Sequence, residues 1–584
     1  MKVLALLCAG AAAGGSCTAP PALGAWSAPA PLRGCAAALA ATPPLVVFPA
    51  SAPAARSGPG ALLWNAPAGC EPGVGRGAAR GASAAGAPLG ATGLPGPGRA
   101  LDGTTGGLGQ LVAATGTTAG QVLVVGTGGS GGGGAAGGAR VSPGTDAFVE
   151  GRQPGAFSKA SALGGTAEPV SAFSGYLGDA VLASAVRVHR GWALAVRVQR
   201  HYASWPSRPR LLPVGARPTA LAATLDYRAD VLLTWAAGGE LYAREIANTG
   251  AFGPLMRIAP APPAGGGEAW QPEIRVLFSD DDRGIIAWRS QQAAAGTGGT
   301  TAGAAGTAAT TLIQASISGP GLGFGAPAVV ERFADPRGLR PPPGSLQLVR
   351  MSSEAVMMAW SGVHAGRYVV RASPVSLRRG VWAPVTVSPP GGREALLAEL
   401  VPGAHAEVLA LWSASPRLPD GALDGRHRAI LAAWGHYGGH GEAVFAPPET
   451  LAPPGPNGVP AAAFDPDNDR ALAAWVTSAG SPRIVYAQRA AGPPALAAPA
   501  QLAIARVARS PAARARGTPA SAPSRATARP GSPRASTRTS VLSHGAGRRG
   551  TVLAAVALAL LLVAAAAAYR GIGRRRGWIG ARRA

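Results

Sequence analysis

Few residues in this chain combine the type and the spacing that chemistry needs. Asp465, Asp467 and Asp469 alternate in an Asp-x-Asp-x-Asp run. That alternation can wrap carboxylates round calcium, but Arg470 stands where a glycine would make the bend, and no later acid closes the cage. The trio is the single metal candidate. Asp226 with Asp230, and Asp280 to Asp282, occupy related turns, where aspartate serves equally well as a turn former. His436 and His440 lie four apart in GHYGGH, a spacing that aligns ligands on a helix but not in a glycine-rich turn, and no third ligand follows. Gly128 to Gly132, with Ser130 at the centre, spells a nucleophile elbow inside a poly-glycine tract that has no strand-to-helix context. There is no His-Glu-x-x-His, no phosphate-loop lysine and no Cys-x-x-Cys. No catalytic residue and no cofactor are assigned.

The ends of the chain read as targeting segments. Lys2, the apolar run VLALLCAGAAA and the small residues after it have the order of a secretory signal peptide over 1–24, with cleavage before Ala25. A lipoprotein site at Cys17 is the alternative, although Gly14-Gly15-Ser16 lacks the branched apolar residue such sites carry. Cleavage would leave Cys35 and Cys70, which form either one disulfide, as an even count in an exported chain favours, or two separate thiols. Residues 551–569 carry no charge and are long enough, at 1.5 Å per residue, to cross a hydrocarbon core of about 30 Å. Six arginines follow in 570–584, so the expected orientation is N-terminus outside, basic tail in the cytoplasm. Residues 504–550, rich in Ala, Arg, Pro, Ser and Thr, read as a disordered stalk.

The net charge of +25 suggests nucleic acid until it is located. Sixteen arginines fall after residue 503, in a segment with no acidic residue, so most of the excess belongs to stalk and tail. Nucleic-acid binding would need that charge patterned on a folded face, and it is not expected here.

What must position any site is a repeat. Short apolar stretches ending in tryptophan recur at Trp235, Trp288, Trp360, Trp412 and Trp475. Each follows a polar turn and precedes a third run, such as ELYAREI or RYVVRAS. A fourth run opens with an aromatic residue and often a proline, at Phe252, Phe324, Trp382 and Phe445, and earlier at Trp26, Phe157 and Trp205. Runs of 5–7 residues separated by turn chemistry read as strands, four per unit. Glycine and proline interrupt every helical window. Units are placed at 108–163, 169–212, 218–259, 272–331, 346–389, 394–451 and 460–503. The fold class is therefore all-β, a β-propeller of about seven four-stranded blades with six or eight open, or else an array of β-sandwiches. Residues 25–107 hold a degraded, partly disordered unit around PLVVFPA and GALLW. The recurrent tryptophans are expected to fill the wedges between sheets rather than to stack on sugars.

The aliphatic-aliphatic-Ala-Trp and aromatic-x-x-Pro strands over 108–503 resemble the propeller-like repeat proteins of actinobacterial surfaces, loosely grouped with sialidase-like propellers. The Asp-box pattern of true sialidases is absent, so glycosidase activity is not implied. The expectation is a monomeric, non-enzymatic, membrane-anchored surface protein that binds or scaffolds an extracellular protein or glycan. The alternative is a hydrolase acting on glycans or cell wall. The insertions 127–143, 289–309 and 413–427 are all expected between the second and third strands of their units, and so on one face.

Overall fold

Between residues 108 and 455 the strands pair antiparallel in chain order, four to a sheet in the first four sheets and five in the next two, where the outer strand is split into two short pieces. The computed structural model describes residues 26–489 with interruptions, the longest being 49–59, 68–81, 129–144, 152–160, 261–272, 293–309 and 335–343. The expected signal peptide, stalk, membrane span and tail, together with Cys35 and Cys70, lie outside the described residues. Among the described residues no helix is long and apolar enough to cross a membrane.

Among the described residues there are eight sheets, one more than the seven units read from the sequence. In order they span 45–100, 108–166, 170–215, 218–260, 273–334, 346–386, 394–455 and 461–489. The extra sheet is the segment that the sequence reading set aside as degraded. Leu45–Val47, Ala61–Pro67, Ala82–Pro88 and Arg99–Ala100 form a complete four-stranded sheet. Its third strand, ASAAGAP, is rich in alanine, a poor strand former in isolation. Between sheets the small side chain is an asset: Ala61, Ala66, Ala85 and Ala87 are fully buried and let neighbouring sheets approach closely.

The last unit is corrected in the same way. Only three of its strands, Ala461–Asp465, Arg470–Thr477 and Arg483–Arg489, come from the end of the repeat region. The fourth is Ala30–Pro31, which pairs with Tyr486 and Val485. Flanking hydrogen bonds lengthen the seam, with Ser27 N donating to Gln488 O at 2.8 Å and Leu32 N to Ile484 O at 3.0 Å.

The first strands of successive sheets touch one another all the way round, and Ala461–Asp465 of the last touches Leu45–Val47 of the first. The sheets therefore form a closed ring with their first strands innermost. The apolar core is divided among the spaces between sheets. Trp64, Trp235, Trp288, Trp360, Trp412 and Trp475 lie on second strands, none more than 2% exposed. Each packs into the cluster shared with the preceding sheet: Trp360 with Leu277 and Ile313, Trp475 with Leu409 and Leu411, Trp64 with Leu472 and Ile484. A tryptophan buries about 150–250 Å², enough to fill the wedge that opens between twisted sheets away from the axis. The aromatic residue opening the fourth strand packs similarly. Phe445 lies over Gly435, where an added Cβ would stand 2.4 Å from the ring, so this strand position has room only for glycine.

Candidate functional site

The innermost strands carry most of their polar atoms on the fifth to seventh sheets. Glu273 and Arg275 are two residues apart on one strand and so share a face. Arg275 Nη2 lies 3.2 Å from Glu273 Oε1, and Arg289 Nη1, on the adjacent strand, lies 3.0 Å from Glu273 Oε2. Glu273 Oε1 also accepts from Leu346 N at 3.0 Å, tying the fifth sheet to the sixth. Burial lowers the pKa of Arg289, and the Glu273 carboxylate opposes that shift.

Glu399 stands on the innermost strand of the seventh sheet, beside a register shift between Leu397 and Glu399 in the pairing with the second strand. A bulge of this kind re-aims the side chain that follows it. Burial pushes the Glu399 carboxyl up to about 7, and the Arg275 guanidinium pulls the other way. A carboxyl titrating near neutrality on the inner ring is able to give or take a proton. It is the chemically most distinctive group among the described residues.

A second polar structure joins the ring to its insertion face. Arg417, in the connection between the second and third strands of the seventh sheet, meets Glu394 at 2.9 Å with both side chains almost wholly buried, 5% and 1% exposed. Glu394 also accepts from Tyr368 N of the sixth sheet at 2.6 Å. Beyond this anchor, Asp424 caps the short helical turn Gly425–His427 and lies 2.6 Å from His427 Nδ1. That hydrogen bond is the main cause holding the Asp424 carboxyl below its usual range. Leu418, between Pro416 and Pro419, is left 39% exposed.

The residues singled out in the sequence take plainer roles. Asp465 is buried at the end of an innermost strand, opposite Arg470, while Asp467 and Asp469 lie outside the described residues. The related Asp226 spends its lone pairs on its own turn, accepting from Arg228 N at 2.9 Å and Asp230 N at 2.8 Å. Arg228 then reaches Asp282 in the matching turn of the next sheet. Among the described residues no three His, Cys, Asp or Glu side chains are grouped to hold a metal. His436 pairs with Glu407 within its sheet, and His440 lies outside the described residues. Glu399 and Glu394 were not singled out in the sequence. The signal for Glu399 was present, a lone acid in the apolar run ALLAELV.

The ring, its four-stranded sheets and its closure by the N-terminal strand together decide the comparison. The architecture is similar to that of β-propeller proteins. A prolyl endopeptidase matches at 12% identity and a TM-score of 0.36, over 74% of this chain, which spans only 55% of the endopeptidase's length. The β-propeller domain of the trilobed protease from Pyrococcus furiosus matches at 8% identity and a TM-score of 0.35, over 68% of this chain and 100% of the domain. An alpha-L-arabinofuranosidase from Fusarium graminearum matches at 10% identity and a TM-score of 0.28, over 65% of this chain and 93% of the other. At these identities the likeness is one of fold alone. No family model and no curated protein matches the sequence. In this propeller the connections from Gly128 to Thr145, Gln292 to Thr310 and Ser415 to Arg428 all join second strands to third. The strands extend a few residues into each expected insertion.

Proposed function

We propose that the chain is a non-enzymatic, membrane-anchored surface protein that binds an extracellular protein or glycan through one face of its propeller. The supporting observation is the connection 416–427, held by the buried Arg417–Glu394 pair and presenting Leu418 to solvent. In an antiparallel four-stranded blade, all second-to-third connections emerge on the same face. The long connections of the second, fifth and seventh blades therefore leave and re-enter their sheets on one side, where repeat proteins commonly place binding loops. The export signal at 1–24 and the apolar span at 551–569 would put that side outside the cell.

The experiment is glycan-array binding and surface cross-linking with the full chain, in three forms: unaltered, with 129–143 and 293–309 shortened, and with Leu418→Asp added. Loss of binding at an unchanged Tm supports the reading, and undiminished binding overturns it. Cutting out 416–427 is the wrong variant, because it would strand Glu394 without its arginine, at a cost of about 3–5 kcal/mol.

A hydrolase acting on glycans or cell wall is the second reading. Glu399 favours it, since a carboxyl titrating near 7 suits a general acid. Release of reducing sugar or peptide from cell-wall preparations, abolished by Glu399→Gln, would establish it.

A further inference from the structure

The face opposite the insertions carries a cavity of about 220 Å³ between the third and fourth blades. Its apolar floor includes Val196, Val198 and Ile246, and its rim carries Arg200, Arg208 and Arg210. No acidic side chain lines it. Arg210 donates to Gly250 O across the gap, which leaves part of its fork available. Arg200 and Arg208 make no side-chain hydrogen bond or ion pair with any described residue. Beneath them Arg197 donates to Pro206 O at 2.7 Å and Ser207 O at 3.2 Å, which fixes the segment carrying Arg208. In the fourth blade, Asp230 accepts from Asn248 N and lies 3.6 Å from Arg228.

We propose that this cavity binds an oxyanion, a carboxylate, sulfate or phosphate group, on a small ligand held by Arg200, Arg208 and Arg210. Guanidinium forks match the geometry of such groups and bind them by paired, charge-assisted hydrogen bonds. Three like charges on one rim repel each other, and an anion seated among them removes that repulsion. Drug-sized sites typically enclose about 300–1,000 Å³. The smaller volume here selects an inorganic oxyanion or a single sugar acid. The apolar floor would take the ring face of the latter.

This site is independent of the binding face proposed above, and its test leaves that face untouched. The full chain is titrated calorimetrically with inorganic phosphate, sulfate and glucuronate, with glucose as the neutral probe, at constant ionic strength set by chloride. Saturable binding of at least one anion and none of glucose is expected, with affinity falling when the titrations are repeated at higher chloride. Phosphate or sulfate binding alone identifies a free inorganic ligand, and glucuronate binding alone identifies a sugar acid. The double substitution Arg200→Gln and Arg208→Gln, at exposed positions, should weaken binding at least tenfold without moving Tm. Ala247→Trp, which fills the cavity and spares the arginines, should do the same. The proposal is overturned if no anion binds saturably, or if both variants bind as tightly as the unaltered chain.

Discussion

Glu399 illustrates how one misfit residue carries information about its surroundings. Its carboxyl titrates near 7 in the folded chain and near 4.5 when exposed. Between these values the folded state holds a proton that the unfolded state has released, so stability falls as pH rises from about 4.5 to about 7 and then levels. Glu399→Gln is expected to flatten this part of the profile, measured as Tm against pH, and to raise Tm most at pH 7.5. A slope that survives the substitution would place the titrating group elsewhere. The sequence marked the position, an acid within ALLAELV, but could not say whether it faced water or the ring. That depends on the bulge after Leu397, which no local pattern announces. The tryptophans were legible for the opposite reason. A large side chain repeated at one strand position has one economical use, and all six on second strands are buried.

At the scale of strands and turns the reading was nearly complete where turn chemistry is strong. The unit boundaries from 108 to 455 agree with the sheets to within a few residues. It failed where the sequence is poorest in β-branched residues, in the first sheet, because the value of buried alanine appears only once a neighbouring sheet is in place. One turn carries a residue that its geometry disfavours. Ala365 and Gly366 form the two-residue loop between His364 and Arg367, both with positive φ, 50° and 74°. A hairpin of this kind favours asparagine followed by glycine, and alanine in the left-handed region is disfavoured by roughly 1–2 kcal/mol. Ala365→Asn is expected to stabilise the chain by about 1 kcal/mol, read from urea unfolding. The same change at exposed Ala203, away from a hairpin turn, should have no such effect.

For the molecule as a whole, the decisive feature is the strand that the sequence displayed without revealing its partner. The aromatic-led motif at Trp26 matches the fourth strand of the other units, yet its three companions lie more than 400 residues away. Nothing local can report such a pairing. Leu32, 5% exposed, packs there with Leu472, Ile484 and Trp64. Leu32→Ala is expected to cost about 2–5 kcal/mol, as for other buried leucines, although the residue lies in a segment that reads as a loop. Equilibrium unfolding would check this, and a loss below 1 kcal/mol would mean that the seam contributes little.

That seam also sets an order of events. Ala30–Pro31 precedes every other strand of the ring along the chain, and its partner Arg483–Arg489 follows them all, so this pairing needs nearly the whole ring to have been synthesised. Contacts so distant in sequence slow folding, because the whole intervening chain must be ordered before they form. Until then the ring is open, with the third strand of its last sheet exposing an unpaired edge of the sort that captures other chains. Closure then covers that edge with two strand residues, one of them Pro31, which has no N–H to offer a further strand. The clasp therefore serves as the final checkpoint of folding, dividing a sticky, unfinished chain from a finished one.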